Sequence, residues 1–355
     1  MNIQQIDVTE KVVSLKEPFI TALRTVTEVE VIEVKITLDS GITGVGSAVP
    51  TYAITGESKE SIIAAIEHPI TDALLHTPVY SFQERIGLVQ KCCMQNYSAK
   101  AAVDMALHDA YVKSLGIDLL EFFGGGSIPS QNDMTISLSS KEEMNQQMQR
   151  HTRAGFTQMK VKLGTSGKED IARILYLAEN ANENIEFRID ANQAWSPKEA
   201  ITLIHVLQAN QVPVQFIEQP VAADDLEGLK YVREHVHLPI MADESCRTLK
   251  DAHNIIKMGA ADMLNIKLMK CGGLNEARAI ADLAQTVRMP CMVGSMMESH
   301  LSVAPIAALA SAHPNITMVD LDAPLWLEDE EAKSNLFYEG GVVSWRKSTK
   351  ARLSI

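Results

Sequence analysis

Alternation of apolar and polar residues organises the first part of the chain. Ile3–Val8 alternates, and Val29–Leu38 and Ile42–Val49 lie on either side of Asp39-Ser40-Gly41, a turn sequence that joins antiparallel neighbours. The period then lengthens. Over Lys100–Ser114 the residues Val103, Ala106, Leu107, Ala110 and Tyr111 recur at helical spacing, and Gly116 supplies a stop. Strands followed by helices predict an α+β unit over residues 1–125. Gly124-Gly125-Gly126 and Pro129 mark its end by composition.

Beyond that boundary, short β-rich runs are separated by longer amphipathic stretches. The runs are Met134–Ser137, Gln158–Leu163, Glu186–Ile189, Val214–Ile217, Pro239–Ala242, Met263–Ile266, Pro290–Val293 and Ile316–Val319. From the second onward they begin at 158, 186, 214, 239, 263, 290 and 316, steps of 24 to 28 residues. Each step has room for one strand, one helix and their loops. Eight such strands predict a closed parallel barrel of the TIM type, in a modified (β/α)7β form, over residues 126–320. Residues 321–355 then return to the N-terminal unit.

Composition narrows the partners. A chain of 355 residues with 46% hydrophobic and 22% charged residues can bury one large core and a smaller unit. The formal charge of −13, from 32 basic and 45 acidic residues, repels phosphate backbones, so nucleic acid is not expected as a partner. No apolar run reaches the ~18–20 residues of a membrane span, and MNIQQIDVTEK lacks the features of a signal peptide. A cytoplasmic chain that engages no membrane is expected, and a homo-oligomer is left open. Cys92, Cys93, Cys246, Cys271 and Cys291 are an odd set without CxxC spacing and read as reduced thiols. No glycine fingerprint for a dinucleotide or a P-loop stands at a strand-to-helix junction.

In such barrels the chemistry gathers where strands end. The second run carries Lys160 and Lys162, the third ends at Asp190, the fourth at Glu218, the fifth at Asp243-Glu244 and the sixth at Lys267. One such acid would merely cap the next helix, but three on successive strands can converge. Asp190, Glu218 and Asp243 would supply hard oxygen ligands for Mg²⁺, or for Mn²⁺ in its place, with Glu244 behind them or as a fourth carboxylate. Strands two and six lie four apart in a ring of eight, so Lys162 and Lys267 face each other across it. A carbon acid held between them could lose a proton to one face and regain it from the other through a metal-stabilised enediolate. The cation and the Lys160 ammonium are expected to depress the lysine pKa values.

The KVK pair, DANQAW, EQP, ADES and NIKLMKCGG, in this order, resemble the enolase superfamily in its muconate-lactonizing subgroup, and the likeness covers nearly the whole chain. It implies an acid/base pair at Lys162 and Lys267, Lys160 in support, and Mg²⁺ on Asp190, Glu218 and Asp243. No His–Asp arrangement of the mandelate racemase subgroup replaces Lys267. Asp320-Leu321-Asp322 after the eighth run, followed by Ala323-Pro324, resembles the dipeptide epimerases, L-Ala-D/L-Glu epimerase included. Residues i and i+2 of an extended segment share a face, so both carboxylates could hold the free ammonium of a dipeptide. Arg24, near the loops Phe19–Arg24 and Pro50–Gly56, is the candidate partner of a substrate side-chain carboxylate. Thr135 on the first run and Met297 after the seventh complete the candidate substrate contacts.

The expectation is an isomerase that inverts the α-carbon of the second residue of a dipeptide, with hydrophobic as well as Ala-Glu dipeptides as substrates. An N-acylamino acid racemase or a cycloisomerase of the same subgroup is the alternative, disfavoured by the two acids at 320 and 322. From other classes, a non-catalytic small-molecule-binding barrel has no use for opposed bases. A metal-dependent hydrolase fits three carboxylates and two lysines less well than proton abstraction does.

Overall fold

The computed structural model describes residues 1–126, 131–328 and 336–345. Pro129, one of the expected boundary marks, and residues 329–335 and 346–355 of the returning segment lie outside the described residues. The N-terminal sheet is antiparallel, with β1 (Ile3–Ile20), β2 (Thr25–Leu38) and β3 (Thr43–Ala48) in that order. Its second hairpin turns where expected, with Gly41 at φ +83°.

Helix Tyr97–Ser114 packs on this sheet at unusually short range. A Cβ on Gly44 would stand 2.2 Å from the Ala106 carbonyl oxygen, and one on Gly46 2.2 Å from that of Ala102. Two glycines on the strand and a row of alanines on the helix are what let the two backbones approach.

The second sheet has eight strands in the order β4 (Met134–Ile136), β5 (Gln158–Lys162), β6 (Glu186–Asp190), β7 (Val214–Glu218), β8 (Ile240–Ala242), β9 (Met263–Ile266), β10 (Cys291–Gly294) and β11 (Ile316–Asp320). All adjacent pairs are parallel. A helix of ten residues or more follows each of the first seven strands among the described residues. Side chains join the first strand to the last. The Thr135 amide donates to Asp322 Oδ2 at 2.8 Å, the Leu321 amide to Asn132 Oδ1 at 2.7 Å, and Arg188 Nη1 to both Asp133 Oδ2 and the Val319 carbonyl. The antiparallel hairpin β12 (Leu336–Glu339) and β13 (Val342–Trp345) follows.

Period-two alternation sorts the barrel interior into layers. Phe216, Met241, Met263 and Met292 form one buried apolar cluster with Met318 against it. Two residues further along their strands stand Glu218, Asp243, Asn265 and Asp320. The same register that packs methionine low in the barrel therefore delivers charge to its C-terminal mouth.

The N-terminal unit reaches that mouth from both sides. Ile20, at the end of β1, exchanges hydrogen bonds with Leu138 and Ser137 beyond β4. Phe19 packs edge-on against Trp326, with ring centroids 5.0 Å apart. Leu15 bridges to Leu327, and the Glu328 amide donates to the Ser14 carbonyl. Among the described residues no helix is long and apolar enough to cross a membrane.

Candidate active site

The mouth is a closed network of buried ions. Lys160, 1% exposed, sends its ammonium to Asp320 Oδ2 at 2.7 Å, Glu218 Oε2 at 2.9 Å and Asp190 Oδ2 at 3.2 Å. Lys162 pairs with Asp190 Oδ2 at 2.6 Å and Lys267 with Asp243 Oδ2 at 2.8 Å. Three strands separate β5 from β9 in the sheet order, so the two outer lysines approach from opposite sides. Gly294 on β10 leaves room for one of them, since a Cβ there would come within 3.1 Å of Lys267 Cε.

Charge governs the titration of these groups. Burial disfavours the Lys160 ammonium, but Asp320, Glu218 and Asp190 outweigh it and hold the group well above its usual range. At Lys267 burial is likewise outweighed, mainly by Asp243, and the net shift is upward. The depression expected of the lysines concerns the cation-loaded site; among the protein's own groups the shift at Lys160 and Lys267 is upward. The Lys160 and Lys267 ammoniums each touch a carboxylate, which favours their charged form. The carboxylates divide. Burial raises Asp190, but Lys162 and Lys160 bring it below its usual value, whereas burial and the Asp190 charge push Glu218 up. Burial with the Asp243 and Asp190 charges lifts Glu244 to about 7.

Among the described residues no three acidic, imidazole or thiol groups are gathered around one point as metal ligands; lysine ammoniums pair with Glu218, Asp190 and Asp243 there. The donor set nonetheless fits a hard divalent cation. Asp190, Glu218, Asp243 and Glu244 are each at most 2% exposed, and burial, followed by the charge of neighbouring carboxylates, raises Glu218 and Glu244. Glu244 Oε2 and Asn192 Oδ1 are buried oxygens without a hydrogen-bond partner, while Asn192 Nδ2 donates to Glu244 Oε1 at 3.2 Å. Carboxylates crowded this closely gain from a cation.

Asp322 and Thr135 are brought together, the Thr135 amide and the Trp326 indole N–H both donating to Asp322 Oδ2. The shared-face argument for Asp320 and Asp322 is corrected. Asp320 ends β11, but Asp322 stands just before the short helix Ala323–Trp326 with φ −82° and ψ −11°, so the chain has left the extended state. The two acids are neighbours all the same, since burial and then the Asp320 charge raise Asp322. Arg24 stands in the hairpin between β1 and β2 with no carboxylate within 4 Å among the described residues, and burial lowers its pKa. Met297 is buried after β10, beside Glu298, whose Oε1 accepts from the Met296 amide at 2.6 Å. All five cysteines are free, and burial pushes the Cys246 thiol up to about 12, which removes it as a nucleophile.

Two supports were missed in the sequence. Lys270 binds Asp243 through Oδ1 at 2.5 Å and through the backbone carbonyl. Asn265 donates to Glu218 Oε1 at 2.8 Å. Asn265 precedes Lys267 by two residues on the same strand face, a signal that alternation alone supplies.

Residues 3–124 match the model of the mandelate racemase / muconate lactonizing enzyme N-terminal domain, and residues 143–348 match that of the enolase C-terminal domain-like family. The chain belongs to the enolase superfamily. As a superfamily member it is 40% identical to the L-Ala-D/L-Glu epimerase of Bacillus subtilis over 97% of this chain and 94% of that one. A substrate-liganded structure of the L-Ala-D/L-Glu epimerase from Bacillus subtilis superposes with a TM-score of 0.95 at 39% identity, covering 98% of this chain and 97% of the other. A dipeptide epimerase from Enterococcus faecalis, complexed with Mg and L-Leu-L-Tyr, superposes with a TM-score of 0.93 at 35% identity over 98% and 97%. The eight parallel strands and the antiparallel N-terminal sheet bear out the TIM-type fold expected from the repeat.

Proposed function

We propose that this enzyme is a dipeptide epimerase that inverts the α-carbon of the second residue by moving a proton between two lysines. The observation that carries the reading is the placement of Lys162 and Lys267 on strands four apart, each with its ammonium on a different carboxylate. Lys162 takes or returns the α-proton on one face of the substrate and Lys267 does so on the other. Lys160 holds Asp190, Glu218 and Asp320 at fixed separations by pairing with all three. Asp190, Glu218 and Asp243 would hold Mg²⁺, or Mn²⁺ in its place. A cation held there would supply Lewis-acid stabilisation of the negative charge that proton loss places on the substrate carboxylate.

Asp320 and Asp322 receive the free ammonium of the dipeptide, with Thr135 fixing Asp322 and Met297 lining the pocket. The Arg24 guanidinium meets an acidic second side chain. Phe19, Met296 and Met297 offer apolar contact to others, so hydrophobic dipeptides are substrates alongside Ala-Glu. N-acylated amino acids, which the alternative racemase reading requires, present no ammonium to the two aspartates.

The test is a library of dipeptides incubated with the enzyme and Mg²⁺ in D₂O and read by mass spectrometry. Deuterium at the α-carbon of the second residue is expected for free dipeptides with acidic and apolar second residues. Equal turnover of N-acetylated and free dipeptides would refute the ammonium site. Lys162→Ala and Lys267→Ala should each abolish epimerisation while each still exchanges the α-proton of one epimer.

A further inference from the structure

We infer that Asp170, outside the ion network of the mouth, is a positioning residue for Lys162. Asp170 lies in the helix Gly167–Asn180 and is completely buried. Its carboxylate collects five donors. Oδ2 accepts from the Gly164 amide at 2.9 Å and the Trp195 indole N–H at 3.0 Å. Oδ1 accepts from the Thr165 amide at 3.3 Å, the Thr165 hydroxyl at 3.2 Å and Arg173 Nη1 at 3.1 Å.

These donors come from segments that matter to one lysine. Lys162 is the last residue of β5, and Gly164 and Thr165 are the backbone by which the chain leaves it. Gly164 sits at φ +114°, and a Cβ there would stand 2.6 Å from Ala194 Cβ, 2.8 Å from Ala22 Cβ and 2.9 Å from the Ala191 carbonyl oxygen. The exit loop is therefore wedged between the DANQAW loop, which holds Trp195, and the hairpin that carries Arg24. A buried carboxylate accepting two consecutive backbone amides fixes such a loop more tightly than packing alone. Arg173 extends the tie by donating from Nε to the Ser139 carbonyl at 2.9 Å, beyond β4. No hydrogen bond or ion pair among the described residues links Asp170 to Lys267, which Asp243 holds on the far side.

The inference rests on the two-lysine reading, and the experiment separates the failure of one from that of the other. Asp170→Asn keeps the volume but replaces one acceptor oxygen with a donor facing the Gly164 and Thr165 amides or the indole. It is introduced into Lys267→Ala, where only Lys162 can act, and into Lys162→Ala, where only Lys267 can. Exchange of the α-proton into D₂O is measured for each epimer. A loss of about 10-fold or more is expected in the first background and less than about 2-fold in the second, as for one charge-assisted hydrogen bond acting on one face. Thr165 is exposed, so Thr165→Val is a second variant that leaves the core intact. It should produce a smaller loss, about 2- to 5-fold, confined to the same background. Equal losses in both backgrounds, or none in the first, overturn the role of Asp170. Absence of exchange from both single-lysine parents overturns the two-base reading and this inference with it.

Discussion

Lys160→Met tests whether the mouth is held by charge. The substitution keeps an unbranched side chain of similar reach and removes an ammonium that pairs with three carboxylates at 2.7, 2.9 and 3.2 Å. Removing one partner of a buried ion pair costs about 3–5 kcal/mol, because the remaining charge is left uncompensated. Protonation sets a ceiling on that cost. A carboxylate with an ordinary pKa near ~4 can take up a proton at pH 8 for about 5 kcal/mol and at pH 6 for about 3 kcal/mol, at ~1.4 kcal/mol per pH unit.

The variant should therefore lose about 3–5 kcal/mol at pH 8 and clearly less at pH 6, measured by urea denaturation in EDTA. Mg²⁺ should then return part of the loss, since a cation at 100 times its Kd contributes about 2.7 kcal/mol and meets carboxylates that no longer share an ammonium. A loss below about 1 kcal/mol at pH 8, or one that does not shrink on acidification, would refute the charge argument.

EDTA should abolish epimerisation and Mg²⁺ restore it. Asp243→Asn should weaken Mg²⁺ binding at least ~10-fold by calorimetry with an unchanged circular dichroism spectrum, as expected of a residue that serves the mouth rather than the core. Arg24→Ala should reduce kcat/KM for Ala-Glu by at least ~10-fold, about one charged hydrogen bond, while sparing apolar dipeptides; equal losses on both classes would remove its role. His151, buried and then opposed by Arg150, is lowered to about 4. The unfolded chain binds a proton near ~6.5 that the folded one refuses, so stability should fall by about 3 kcal/mol as pH drops from ~6.5 to ~4. His151→Gln should flatten that limb of a urea stability profile; an unchanged slope would discard the assignment.

Local signals made much of this fold legible. The eight barrel runs stand where β4 to β11 form, because a strand buried on both faces leaves a short apolar run between amphipathic helices. The period of two that puts Lys160 and Lys162 on one face of β5 also puts Asn265 on the face of Lys267. The upward shift of Lys160 and Lys267 among the protein's own groups was not legible. It depends on which atoms touch across strands, and the carboxylates that raise Lys267 and Lys160 come from other strands. Asp322 misled for a related reason, since alternation describes an extended chain and the backbone turns helical at that residue. Asp170 lay in an ordinary amphipathic helix, and only the folded chain shows that Gly164, Thr165 and Trp195 converge on it.

The division of labour in the structure explains how one set of lysines and acids can serve different dipeptides. Lys160, Lys162 and Lys267 take their places from the barrel strands, whose register is fixed by the apolar layer beneath. The groups that would read substrate side chains come from elsewhere, with Arg24 and Phe19 on the N-terminal hairpin and Met297 on a loop. The two sets meet through few contacts. Phe19 lies 5.9 Å from Lys162 Nζ and edge-on to Trp326, whose indole N–H binds Asp322. On the proposed roles, a change of side chain at the hairpin tip would leave the strand register untouched, so substrate range could shift while the geometry of the two lysines stays fixed. Phe19 itself is different, because it touches both sets at once. On the proposed roles, a substitution there would disturb Lys162 and the support of Asp322 together, and the freedom to alter specificity would lie with the residues beyond it, at Thr21–Arg24.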